Sequence, residues 1–131
     1  MEDNFKLEII NPERVIFSDE AKMVTLPSYE GDMSILKNHI SIITFLRPGI
    51  IRVKKKEESI EKFFVQDGTV EYFNDSLVIL SASAINLKDL SKELLDNLNK
   101  ETQNQLTEKS ITDHDRYILN HKLDALKEIR I

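Results

Sequence analysis

The chain has 131 residues, with 18 Lys and Arg against 23 Asp and Glu and a net charge of −5. That length suits one domain with a small appendage, and the acidic balance argues against a partner held through nucleic-acid phosphates. No cysteine is present, which removes disulfides, thiolate nucleophiles and cysteine-ligated metals together.

All three glycines and all three prolines lie before Ser76, and Tyr117 is the only aromatic after Phe73. The change in composition points to two architectures joined near residue 85. In the first, Phe5, Leu7 and Ile9 alternate with polar residues, the period of a half-buried strand. Residues 15–17 and 22–26 are expected as two further strands, the second ended by Pro27. Residues 40–46 are β-branched and apolar, and Arg47-Pro48-Gly49 turns. Residues 49–53 lead to KKKEE, Lys54 to Glu58, whose charges largely cancel and whose place between two strands reads as a solvated hairpin tip. Residues 60–65, 69–73 and 77–82 complete a series of eight or nine short strands. Asp67-Gly68 and Asn74-Asp75-Ser76 turn between them. Regular turns between short alternating strands predict an antiparallel sandwich or barrel.

The second architecture is helical. Leu87, Leu90, Leu94 and Leu98 step by three and four, with Leu95 widening the stripe, and Asn86 is expected to cap the helix. After a polar link at 107–112, residues 113–129 place Ile118, Leu119, Leu123, Ala125, Leu126 and Ile129 on one broad face. Asp113 and Asp115 at the start, with Lys127 and Arg130 at the end, suit the helix dipole. A short link between two amphipathic helices predicts an antiparallel hairpin. Such a hairpin must pack its apolar face on something, and the sandwich is the expected partner.

Catalytic constellations are hard to assemble. His114 and His121 are seven apart, not the four of a helical zinc pair. Ser34 lacks a nucleophile elbow, and three glycines build no phosphate cradle. No apolar run approaches the roughly 18 residues of a membrane span. The acidic N-terminus lacks a signal-peptide pattern, so a cytosolic protein starting at Met1 is expected.

Two stretches carry a resemblance. LPSYEGDMSILKNHISIITFLRPGIIRV (26–53) and FFVQDGTVEYFNDSLVILSA (63–82) resemble the epsilon-subunit family of bacterial rotary ATP synthases. The resemblance is specific through residue 82 and generic in the helices. It implies a flattened antiparallel β-sandwich of about ten strands over 1–84, followed by an antiparallel helical hairpin over 85–131. The implied protein is non-catalytic, has no cofactor, and lies peripherally on the cytoplasmic face of the bacterial inner membrane. Its implied partners are the gamma subunit and the c-subunit ring, with alpha and beta catalytic subunits reached through the hairpin. The implied role is coupling proton-driven rotation to ATP synthesis, with the hairpin restraining hydrolysis.

Residue by residue, the resemblance makes Glu30, Gly31, Asp32 and His39 a loop facing the c ring. Asp32 is its polar contact, and His39 braces it by hydrogen bonds with Thr44 nearby. Some members bind ATP at the start of the first helix; the matching positions here are Asp89 and Lys92, but the arginine and alanine of that motif are replaced. Arg116, Lys122, Lys127 and Arg130 are the basic residues an extended hairpin would present to the catalytic subunits. Ser28, Ser34 and Lys37 depart from the family's glycines and proline, so a locally different loop is expected. Two other readings are a free-standing regulatory nucleotide-binding module, separable by ATP calorimetry, and a hydrolase on a sandwich scaffold that needs His39.

Overall fold

The computed structural model describes residues 3–130; the expectation that the protein starts at Met1 lies outside them. Nine strands come first: β1 (Phe5–Ile10), β2 (Val15–Ser28), β3 (Gly31–Leu36), β4 (Ile42–Leu46), β5 (Gly49–Lys55), β6 (Ile60–Val65), β7 (Gly68–Phe73), β8 (Ser76–Leu80) and β9 (Ile85–Asn86). Two helices follow, α1 (Lys92–Leu106) and α2 (Asp113–Glu128). The strands bond in the order β1-β8-β7-β4-β2-β5-β6-β9, with β3 on β2 and a further β1–β2 pairing. Because β1 touches both β8 and β2, the sheet folds back on itself into two layers. One layer is β1-β8-β7-β4 and the other is built on β2, β5 and β6. Between them, Leu7, Val24, Ile51, Phe63, Val70 and Leu77 are among the buried residues of one apolar core.

Alternation in β1 holds as expected, with Phe5, Leu7 and Ile9 all buried. Residues 15–17 and 22–26, by contrast, are parts of a single 14-residue strand that runs through Pro27. Pro27 is tolerated for a geometric reason. Its carbonyl accepts the N–H of Arg47 at 3.0 Å. The nitrogen of a strand residue points the same way as its carbonyl, so the missing N–H faces away from β3 and empties no rung of that ladder. On that other flank β5 has already left, its pairing ending at Thr25 with Arg52. Gly49 makes the room: a Cβ there would stand 2.4 Å from the Cβ of Pro27.

The loop expected over residues 30–39 is mostly a strand. Gly31–Leu36 pairs with β2 from Ser28 to Met23, leaving a two-residue turn at Tyr29-Glu30. Ser34 fits this strand without distortion, its hydroxyl 3.3 Å from that of Thr25. The two-residue strand β9 lay beyond the sequence reading: Ile85 and Asn86 extend the sheet beside Phe64 and Phe63.

Helix α1 begins later than expected. Asn86 caps a separate 3₁₀ turn, Leu87–Asp89, by accepting from the Lys88 N–H. Ser91 caps α1 itself, accepting from the N–H of Leu94. Thr112 caps α2 in a reciprocal box with Asp115, which satisfies two of the first turn's free N–H groups. The two helices pack as a hairpin on the outer side of β5, β6 and β9. Leu90, Leu95, Ala125, Leu126 and Ile129 close over Ile50 and Phe64 in a second apolar cluster. Leu94, expected in the packing stripe, is 39% exposed while its neighbour Leu95 is buried.

Candidate functional site

The turn between β2 and β3 is built from its flanks inward. Ser28 is fully buried, and its hydroxyl donates to the Gly31 carbonyl at 2.6 Å while accepting the Glu30 N–H at 3.2 Å. The serine that departs from the family's glycine therefore ties the turn together. Gly31 has φ +117°, a conformation a side chain would strain. Glu30 is exposed. Asp32 presents its carboxylate beside the turn, 3.2 Å from the guanidinium of Arg47, with side chains 67% and 15% exposed respectively.

Tyr29 links this turn to α2. Its ring lies nearly parallel to those of His114 and Tyr117, each at 6.5 Å between centroids. Tyr117 in turn meets His121 edge-on at 4.5 Å. The side of the turn also shares a small cleft with α2, lined by Asp32, Arg47, Arg52, His121, Asp124 and Glu128 among others. Arg52 bonds Glu128 across it. In the sequence, His121 counts only as half of a metal pair and Tyr29 has no role; the ring contacts that link them through Tyr117 depend on how the hairpin docks, which no local pattern encodes.

His39 does not belong to this turn. It follows β3 at the opposite end, where its backbone N–H bonds the Leu36 carbonyl. Its ring packs edge-on to Tyr72 at 5.7 Å, and Nδ1 lies 2.7 Å from the Ile40 carbonyl. Thr44, expected as its neighbour, is buried in β4 opposite Val70. What braces this end is Asp75, whose Oδ1 accepts from the Asn38 N–H at 3.0 Å and from the Tyr72 hydroxyl at 2.8 Å. The Asn38 N–H, then the Tyr72 hydroxyl, hold the Asp75 carboxyl below its usual range. Burial, and then that carboxylate, push the Tyr72 phenol up to about 12.

On the hairpin side, Asp89 sits on the 3₁₀ turn and Lys92 is the first residue of α1, both exposed. They belong to different elements, so their spacing is not that of one helical face. Arg116, Lys127 and Arg130 are exposed, whereas Lys122 is only 6% exposed. Lys122 is thus covered in the docked hairpin.

The outer face of the other layer is bare. Ile43 and Phe45 on β4, Phe73 on β7 and Leu80 on β8 are 68%, 59%, 64% and 51% exposed. The ladder sets Phe45 opposite Thr69 and Thr69 opposite Leu80, so these side chains share one surface. A run of large apolar groups on one sheet face marks an interaction site.

A two-layer β domain with a docked helical pair, one outer face covered and the other bare, defines an interaction module; no helix among the described residues is long and apolar enough to cross a membrane. The chain belongs to the ATP synthase delta/epsilon chain family, whose β-sandwich domain model matches residues 4–87. A protein named ATP synthase epsilon chain from Pelagibacter ubique is 40% identical, over 98% of this chain and 99% of its own length. One so named from Parvibaculum lavamentivorans is 33% identical, over 99% and 98%. The fold is shared with a chain of the Euglena gracilis mitochondrial ATP synthase. The TM-score is 0.78 at 18% identity, covering 98% of this chain and 82% of that one. A chain of the Tetrahymena thermophila mitochondrial ATP synthase central stalk and c-ring matches with TM-score 0.58 at 14% identity, over 94% and 93%.

Proposed function

We propose that this chain is a non-catalytic subunit of the central stalk of a proton-translocating ATP synthase, held on the cytoplasmic face of a bacterial membrane through the complex. The observation that carries the reading is the bare apolar face of β4, β7 and β8. The gamma subunit covers it, and the turn at Tyr29-Glu30 with Asp32 meets the c ring. Contact with both partners couples ring rotation to ATP synthesis. The relatives' names support the assignment, and the absence of a nucleophile constellation or phosphate cradle in the sequence fits a subunit that transmits rather than reacts.

The sandwich and the hairpin act as separable units, the first for assembly and the second for regulation. Released from the sandwich, the hairpin offers Arg116, Lys122, Lys127 and Arg130 to acidic surfaces of the catalytic subunits and restrains hydrolysis. This role needs no nucleotide at Asp89 or Lys92; saturable ATP binding at physiological concentration, lost in Lys92→Ala, would favour a nucleotide-regulated module instead.

The deciding experiment is association with purified gamma subunit at micromolar concentration. The unaltered chain should form a one-to-one complex, and Ile43→Asp with Phe45→Asp should abolish it while leaving unfolding unchanged. A well-folded wild-type chain that fails to bind gamma overturns the assignment.

A further inference from the structure

We infer that the docked hairpin carries a proton-operated latch at His121, set in the cleft between α2 and the turn-bearing end of the sandwich, and that acidification releases the hairpin. The argument starts from what surrounds the imidazole. His121 is half-buried on the sandwich side of α2, in a cleft of about 160 Å³ floored by Pro27, Gly49 and Ile50. The β4–β5 turn brings Arg47, β5 brings Arg52, and the β2–β3 hairpin brings Asp32; α2 itself contributes Asp124 and Glu128. Tyr117 meets the ring edge-on, and Tyr29 stacks on Tyr117 in turn.

Of these charges, four are already engaged. Asp32 is paired with Arg47 and Glu128 with Arg52. A proton on His121 would therefore add another cation beside the Arg47 guanidinium, whose side chain is 15% exposed, at a partly buried position that disfavours the charge. Burial first, and Arg47 second, hold the imidazole below its ordinary value against the opposing pull of Asp124 and Asp32.

The sign follows from linkage. Release of the hairpin hydrates His121 and separates it from Arg47, returning it to the ordinary value of 6.5. The released state therefore binds the proton more tightly. Docking is at full strength above that value and weakens as pH falls below it. His114 does not act this way, because it is exposed and stands outside this cleft. The regulatory consequence rests on the hairpin being the movable element proposed above, but the latch is tested on the chain alone and fails independently of gamma binding.

Since the sequence contains no cysteine, the test can place labels at Lys62→Cys on β6 and Lys109→Cys in the link between the helices of the full chain. Energy transfer between them, read from about pH 7.5 to about pH 5.5, should fall as the hairpin leaves. Dispersed amide signals from Leu7 and Val70 should persist, showing that the sandwich stays folded. His121→Gln should flatten the response, His114→Gln should leave it, and Arg47→Gln should shrink it, because relieving the repulsion brings the docked imidazole closer to its released value. A proton titration of the His121 ring should place its midpoint below the ordinary imidazole value of 6.5. The idea is overturned by equal pH responses in wild type and His121→Gln, by constant transfer while His121 titrates, or by loss of the sandwich signals together with the transfer.

Discussion

The two outer faces of the sandwich began from similar sequence and ended differently. On β5 and β6, Ile50 and Phe64 point outward and are buried beneath Leu95, Leu126 and Ile129. On β4, β7 and β8, Ile43, Phe45, Phe73 and Leu80 also point outward and stay exposed. Both strands sets are apolar on two sides, as in ITFL and GIIRV. The difference teaches that a two-sided apolar strand announces a second layer without saying whether the same chain supplies it. Here the chain covers one face with its own C-terminal helices and leaves the other exposed.

Substitutions can break that comparison. The largest effect is expected at Phe64→Ala, which empties a 1% exposed site; such truncations cost about 3–5 kcal/mol. The matched change on the bare face, Phe45→Ala, should alter stability by no more than about 0.5 kcal/mol. Denaturant unfolding of both isolated chains makes the measurement, and equal losses would mean that the two faces are not covered and bare in solution. Next in size is Gly49→Ala, whose new Cβ meets Pro27; overpacking of this kind costs about 1–3 kcal/mol, read as a lowered midpoint.

Smaller effects sharpen the covered face. Ser91→Ala removes the cap on Leu94 and should cost about 1 kcal/mol, visible as faster amide exchange in the first turn of α1. The smallest effect belongs to Glu128→Gln. It breaks the bond to Arg52, but with side chains 40% and 57% exposed such a pair is worth at most about 1 kcal/mol. A loss far above that would show that ion pairing rather than apolar contact holds the hairpin.

How much of this was written locally depends on the kind of signal. Period-two alternation placed β1 and leucine spacing the first helix, because burial on one side imposes those periods directly, while turn residues such as Asp67-Gly68 and Asn74-Asp75-Ser76 framed the β6–β7–β8 series. Pro27 misled because its effect depends on which flank of the strand its nitrogen faces, which is set by Arg47 twenty residues away. Residues 31–36 looked polar and loop-like because β3 is an edge strand whose outward positions, Asp32 and Ser34, are solvated. Of the turn residues, Glu30, Gly31 and Asp32 share one end of β3. His39 was grouped with them by sequence proximity, yet six residues of strand carry it about 20 Å off. Ser28's double hydrogen bond closes its own turn with Glu30 and Gly31, whereas the Tyr29 stack on α2 and the burial of Lys122 are products of long-range docking.

One consequence of β2 reaches past recognition into mechanics. Its 14 residues hold β1 along the first half and β3 and β5 along the second. A pull on the turn at Tyr29-Glu30 along the strand loads these ladders in shear, so many rungs must yield at once rather than one after another. In the stalk role proposed above, such a strand acts as a tie rod, spreading load over both layers before any single hydrogen bond carries it alone.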